Sequence, residues 1–169
     1  MSGRSASLLR APHQFEDNAG RTIEICRYGR GPVQEEFDAL VDMYLDFAGE
    51  CRAMGIPPVM EEDLTEWLDV VLEGLGVVAW HGDRAVGHAL LLGNDDGHEV
   101  AIFVHQEFQQ ASIGTHLLRT LLGEAEEAGI ESVWLTVESR NSVAKRLFRS
   151  VGFEITRGGQ TELVMELSL

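Results

Sequence analysis

The stretch from Val100 to Thr115 carries the residue order that points most directly to chemistry. It begins as an apolar, strand-like run and passes into a short polar loop with a late glycine, Gly114. An amphipathic, helix-like segment follows at once. A loop in this position leaves a row of backbone N–H groups at a helix N-terminus, where phosphate groups bind well. The stretch therefore predicts a site for a phosphate-bearing ligand.

The elements that must position this loop alternate between strand and helix patterns. Strand-like alternation and helical spacing of apolar residues predict the order β-α-α-β-β-β-α-β-α-β-β, a three-layer α/β domain. Gly129 is placed to end the helix that follows the loop, and Asn141 is placed to N-cap the next one. The predicted strands are Thr22–Tyr28, Gly76–His81, Ala85–Leu92, His98–His105, Val133–Val137, Gly152–Thr156 and Leu163–Leu167.

The length and composition indicate one globular domain. The chain has 169 residues, of which 44% are hydrophobic, enough for a single core. Residues 1–20 lack periodicity and are predicted to be a flexible arm, and residues 21–169 a single domain. No apolar run has the length of a membrane span or a signal peptide, so we expect a cytoplasmic protein with no membrane partner. Cys26 and Cys51 are expected to be buried or idle thiols, and no metal site is expected.

The charge balance is strongly acidic. Thirteen basic and 28 acidic residues give a formal net charge of −15, and Lys145 is the only lysine. Such a surface repels nucleic acid and anionic membranes. An acid excess with scarce lysine is typical of proteins from salt-loving organisms, and a GC-rich genome is the alternative explanation. Arg140, Lys145, Arg146 and Arg149 form a local basic group that either attracts phosphates or is simply a solvated helix face.

Two sequence blocks resemble the GCN5-related N-acetyltransferase (GNAT) family. The family's cradle reads Arg/Gln-x-x-Gly-x-Gly/Ala, which Gln109 and Gly114 match while Ser112 replaces the middle glycine. Gln110 stands where another glycine is common. Downstream, Asn141 to Phe153 is similar to the family's Asn-x-x-Ala-x-x-Leu-Tyr…Gly-Phe block, with Phe148 at the tyrosine. The two blocks stand in the family's order and at its separation.

The resemblance implies the GNAT fold: a central, mostly antiparallel mixed sheet that splays at its middle strands, with helices on both faces. It also implies acetyl-CoA as cofactor. A backbone N–H of the strand Ile102–Val104 would polarise the thioester carbonyl. The implied cofactor-binding residues are Ile102, Phe103, Val104, Gln109, Gln110, Ala111, Ser112, Ile113, Gly114, Thr115, Asn141, Ala144 and Phe148. If residue 112 needs a positive φ, serine there costs about 1 kcal/mol relative to glycine.

Acetyl transfer to an amine needs a base, because an alkyl ammonium has a pKa near 10.4. Glu99 matches the glutamate that several family members use as general base or water positioner, and His98 and His88 are alternatives. Phe148 cannot protonate the leaving thiolate. Water, Tyr28 or Tyr44 could do so, or the protein could be slow. A thiolate with a pKa near 8.5 needs a general acid less than an alkoxide would.

The resemblance therefore predicts an N-acetyltransferase that acts on a primary amine, either a small molecule or a protein lysine. A catalytically weak or inactive CoA-binding sensor is the alternative. In this fold the loop Gly49–Met60, which includes Arg52 and Met54, lines the acceptor side. Trp67 and Trp80 are expected to belong to the core. The resemblance also leaves room for a homodimer.

Overall fold

The computed structural model describes residues 8–29, 31, 33–49, 57–94 and 97–169. One sheet of eight strands runs in the order β1-β2-β3-β4-β5-β6-β8-β7. The strands are β1 His13–Glu16, β2 Thr22–Arg27, β3 Gly76–His81, β4 Arg84–Asn94, β5 Gly97–Val104, β6 Ser132–Glu138, β7 Glu154–Gly158 and β8 Glu162–Ser168. The helices are α1 Val33–Leu45, α2 Glu61–Val71, α3 Ile113–Glu127 and α4 Ser142–Val151. No described helix combines the length and apolar character of a membrane span.

The core lies in two layers, one on each face of the sheet. Strand residues alternate between the faces, so Val100, Ile102 and Val104 of β5 join the cluster around α3 and α4. Ala101 and Phe103 join the cluster around α1 and α2. Each layer buries the apolar stripe of its helices. The expected mixed sheet with helices on both faces is confirmed.

The sheet changes character at its middle. Every other neighbouring pair of strands is antiparallel, whereas β5 and β6 run parallel. Among the described residues these two strands are in register only at Glu99 and Trp134. Beyond Glu99 the strands part, and the edge of β5 that faces β6 is left without a ladder toward Val104. This is the splay that the family resemblance implied.

The chain begins its fold earlier than the sequence pattern indicated. β1 pairs antiparallel with β2, from His13 opposite Ile25 to Glu16 opposite Thr22. A flexible arm over residues 1–20 is therefore wrong for residues 13–16, while residues 1–7 lie outside the described residues. Four residues are too few to show strand alternation against background.

A short segment before β1 crosses α3. The N–H of Leu9 donates to the carbonyl of Arg119 at 3.1 Å, and that of Ala11 donates to the Glu124 carboxylate at 2.8 Å. A Cβ at Gly123 would collide with the carbonyl of Leu9. The missing side chain at Gly123 thus lets the backbone of the segment lie directly on the helix.

Candidate active site

The backbone of the loop that precedes α3 is strained. From the sequence we considered the cost of a positive φ at residue 112, and the structure has a positive φ there. Ser112 is the N-cap residue with φ 74° and ψ 0°, and Gln110 has φ 56°. Both positions are thus left-handed, although neither residue is glycine. These are the two positions where the resembling family commonly has glycine. The loop therefore adopts, at both positions, a backbone conformation that glycine favours and that costs energy with a side chain.

The N-terminus of α3 is open. Ser112 makes no side-chain cap, and the first turn holds no acidic residue. The N–H of His116 donates to the carbonyl of Ser112 at 3.2 Å. The N–H groups of Ile113, Gly114 and Thr115 come before this bond and so have no acceptor within the helix. Together with the helix dipole they make a site suited to an anion.

Neighbouring segments brace the loop from outside. The N–H of Asn18, in the β1–β2 turn, donates to the carbonyl of Ala111 at 3.2 Å. Arg21 donates from Nη1 to the carbonyl of Glu107 at 3.1 Å, and its guanidinium lies 4.0 Å from the centre of the Phe108 ring. The side-chain amide of Gln109 donates to the carbonyl of Val104 at 3.0 Å. These bonds hold the left-handed residues in place.

Glu99 stands at the point where β5 and β6 part. Its side chain is half-buried, and desolvation by this burial raises the pKa of its carboxyl group. It lies in one cross-strand row with Leu92 of β4, Trp134 of β6 and Glu166 of β8. The indole N–H of Trp134 is buried and has no hydrogen-bond partner among the described residues. The row combines a half-buried carboxylate with an aromatic ring on the face of α1 and α2.

Aromatic side chains fill the space between α1, α2 and this face. Tyr44 makes edge-to-face contacts with Phe47, Trp67 and Phe103 at centroid distances of 5.1 to 5.6 Å. Trp67 is half-buried in this cluster, consistent with its expected place in the core. The loop residues Arg52 and Met54, which were expected on the acceptor side, lie outside the described residues.

His88, an alternative general base, and Tyr44, an alternative proton donor to the thiolate, form a buried pair. The Tyr44 hydroxyl and His88 Nδ1 are 2.6 Å apart, and both residues are fully buried. Desolvation lowers the pKa of His88 to about 3 and raises that of Tyr44. A neutral, enclosed pair of this kind is poorly placed to exchange protons with a substrate. Tyr28 directly follows β2, which lies three strands away from β5 in the sheet.

The start of α4 is occupied by its own cap. Oδ1 of Asn141 accepts from the N–H of Ala144 at 3.0 Å, as the sequence predicted. Phe148 is buried against Phe153, with ring centroids 5.8 Å apart. Arg140, Arg146 and Arg149 are exposed around this helix and Lys145 is half-exposed. The structure thus puts the second sequence block beside the first through contacts between α3 and α4, among them Leu147 near Gly114.

One polar cluster near the loop was not anticipated. His105 is fully buried, and its Nε2 lies 2.7 Å from Asp46 Oδ2. Arg84 Nη2 lies 2.8 Å from Glu107 Oε2 and 3.8 Å from Asp46 Oδ2. The ligand atoms of Asp46, His105 and Glu107 are close enough together to hold a metal ion, but the Arg84 guanidinium already supplies the cation among them. Because Asp46 and His105 are 59 residues apart, no local pattern marks this cluster.

Comparison with known proteins places these features in one family. Residues 37–153 match the model of the acetyltransferase (GNAT) family. A GCN5-related N-acetyltransferase 6, chloroplastic, from Arabidopsis thaliana is 22% identical over 94% of this chain, which spans 60% of that protein's length. The GNAT domain of S. lividans PAT superposes with a TM-score of 0.76 at 18% identity, over 93% of this chain and 96% of that one.

A further similar solved structure contains coenzyme A. The PaiA N-acetyltransferase of Thermoplasma acidophilum, in complex with coenzyme A, superposes with a TM-score of 0.68 at 19% identity, covering 87% of this chain and 99% of that one. Likeness at this level of identity concerns the fold, whereas the family match covers most of the chain. The chain belongs to the acetyltransferase (GNAT) family.

Proposed function

We propose that this member of the GNAT family transfers an acetyl group from acetyl-CoA to a primary amine, a small molecule or a protein lysine, by direct attack on the thioester. The observation that carries the proposal is the open N-terminus of α3 at the end of the strand that parts from β6. A cofactor with a pyrophosphate and an extended arm suits such an arrangement of helix N-terminus and free strand edge. The cofactor would be held chiefly by the backbone from Gln109 to Thr115.

The strand edge supports the second part of the proposal. With β6 turned away beyond Glu99, the backbone of Ile102 to Val104 is not paired with a described strand on that side and would pair with the pantetheine arm. The Val104 carbonyl already accepts from the side-chain amide of Gln109. A main-chain N–H there would donate to the thioester oxygen as negative charge develops on it. The side chains of these residues pack into the two core layers and leave the edge to the backbone.

Glu99 is the proposed general base. Its carboxyl must be deprotonated to accept a proton from the ammonium, directly or through one water. Burial raises its pKa, which makes it a stronger base than an exposed glutamate. Because activity requires the charged form, kcat/KM should fall as the pH drops through this raised pKa. The acidic limb of the profile should therefore lie above pH 4.3, the usual pKa of a glutamate.

The charge of the chain supports a cationic acceptor. A net charge of −15 attracts amines by long-range steering. On the face of Glu99, the ring of Trp134 and the exposed carboxylate of Glu166 continue the same row. An aromatic ring beside carboxylates favours a positively charged group over a neutral one. A homodimer and a cytoplasmic location are further parts of the proposal.

The test is a thiol-release assay with acetyl-CoA and a panel that includes a polyamine and a lysine-containing peptide, run at high salt. Glu99→Gln should lower kcat/KM by roughly 10²- to 10⁴-fold and remove the acidic limb of the pH profile. Its affinity for CoA, measured by calorimetry, should be unchanged. Glu24→Gln, a strand glutamate on β2, is the matched control and should behave like the parent protein.

The alternative is a sensor that binds acyl-CoA without turnover, and the buried Phe148 with no hydroxyl is the observation that favours it. Tight CoA binding with no turnover for any amine would support the sensor. The absence of CoA binding at high salt would contradict both candidates. Turnover that survives in Glu99→Gln would remove Glu99 from the mechanism.

A further inference from the structure

The side-chain amide of Gln106 joins the end of α1 to the segment that precedes the cradle. Its Oε1 accepts from the N–H of Ala48 at 3.0 Å, and its Nε2 donates to the carbonyl of Asp46 at 2.7 Å. One amide thus bonds to backbone groups two residues apart, just after α1 ends at Leu45. Such a two-point contact fixes position and direction together.

A second contact reinforces the first. Nδ1 of His105 accepts from the N–H of Glu107 at 3.2 Å, which leaves Nε2 protonated to donate to Asp46 Oδ2 at 2.7 Å. The imidazole is fully buried, so water competes little for this bond. Three hydrogen bonds therefore tie residues 46–48 to residues 105–107. We call this set of bonds the Gln106 clamp.

The clamp lies between two parts of the active site. On one side, a short 3₁₀ turn, Gln106–Phe108, leads directly to Gln109 and the cradle. On the other side, Phe47 lies inside the clamped segment and packs against Tyr44, Phe103 and the ring of His105. Movement of the cradle would be passed to this aromatic cluster through a few stiff contacts.

We propose that Gln106 is a positioning residue that couples cofactor binding at Gln109–Thr115 to the end of α1 and its aromatic cluster. The inference rests on the proposed binding of CoA at the cradle. A ligand bound at the cradle adds to the bonds that already hold the left-handed residues and so further restrains residues 105–107. The clamp extends this order to residues 46–48.

Hydrogen exchange of the full-length chain, with and without saturating CoA, tests the coupling. In the parent protein CoA should slow exchange in peptides from residues 110–118 and also in those from residues 40–48, the latter by about fivefold or more. In Gln106→Ala the protection of residues 110–118 should remain, whereas that of residues 40–48 should fall below about twofold. The two regions would respond separately once the two bonds that Gln106 contributes to the clamp are removed.

Two further variants serve as a control and as a conservative substitution. Gln34→Ala removes a glutamine amide that lies in α1 and donates to Asp38 of the same helix. This variant should keep the protection of both regions. Gln106→Glu keeps the acceptor for Ala48 but loses the donor to Asp46, so it should show a partial loss even if Gln106→Ala does not fold. CoA protection of residues 40–48 that persists in both Gln106 variants would overturn the coupling. A parent protein that binds CoA without protecting residues 40–48 would also overturn it, whereas failure to bind CoA would overturn the proposed function with it.

Discussion

The two helices that lead out of the central strands, α3 and α4, begin in opposite ways. At α3 the N-cap residue Ser112 has φ 74°, and its side chain makes no cap. At α4 the N-cap residue Asn141 has φ −81°, and its side chain accepts from the N–H of Ala144 at 3.0 Å. The start of α3 has a strained backbone and leaves its first N–H groups without a side-chain acceptor. The start of α4 has one of its N–H groups bonded to the Asn141 side chain.

The difference separates a ligand site from a structural feature. Helix N-termini attract anions in general, but a capped end has fewer free donors to offer. An uncapped end with a left-handed residue costs stability that the fold must supply elsewhere. We therefore assign the α3 terminus to the proposed cofactor site, while the bonded cap of α4 holds the start of the second block. Each of the following experiments changes one side of this contrast.

Removal of the cap at α4 should have the largest effect on stability. Asn141→Ala leaves the N–H of Ala144 without its acceptor and should lower the free energy of unfolding by about 1 kcal/mol, and by 2 at most. Urea denaturation measures the loss, and Asn141→Asp should largely avoid it. If CoA affinity falls while unfolding is unchanged, Asn141 acts on the cofactor and the contrast between the helices fails.

Relief of strain at α3 should have the opposite sign. Ser112→Gly removes the steric cost of a left-handed residue with a side chain, and the greater flexibility of glycine in the unfolded chain offsets part of the gain. We expect a net stabilisation of about 0.5 to 1 kcal/mol and up to fivefold tighter CoA binding. Ser112→Ala, which keeps the Cβ, should show neither change. Weaker binding in Ser112→Gly would mean that the serine hydroxyl contacts the ligand.

The exposed charges of α4 should have the smallest effect. Lys145→Gln and Arg146→Gln each remove one positive charge from the neighbourhood of the cradle, and each should weaken CoA binding by roughly twofold at low salt. The effect should vanish at high salt, because screening acts on exposed charges first. A loss that persists at high salt would indicate direct contact with a phosphate and would assign part of the cofactor site to α4.

The sequence located the cradle and the Asn141 cap because both depend on residues close together in the chain. The sequence could not predict the sign of φ at Ser112, because that angle depends on how Asn18, Arg21 and Gln109 hold the loop. β1 escaped detection because four residues carry too little pattern, and its stability comes from pairing with β2. The Gln106 clamp was invisible because its partners are about sixty residues apart.

Gly123 of α3 makes the evolution of this helix depend on the segment around Leu9. As long as the backbone around Leu9 rests on α3, no residue with a side chain fits at position 123. A descendant that lost this crossing segment would be free to take alanine there, with a gain of about 1 kcal/mol in helix propensity. After that step the old N-terminal path would be closed, because the new methyl group would occupy the place of the Leu9 carbonyl. Deletion followed by substitution would thus be hard to reverse.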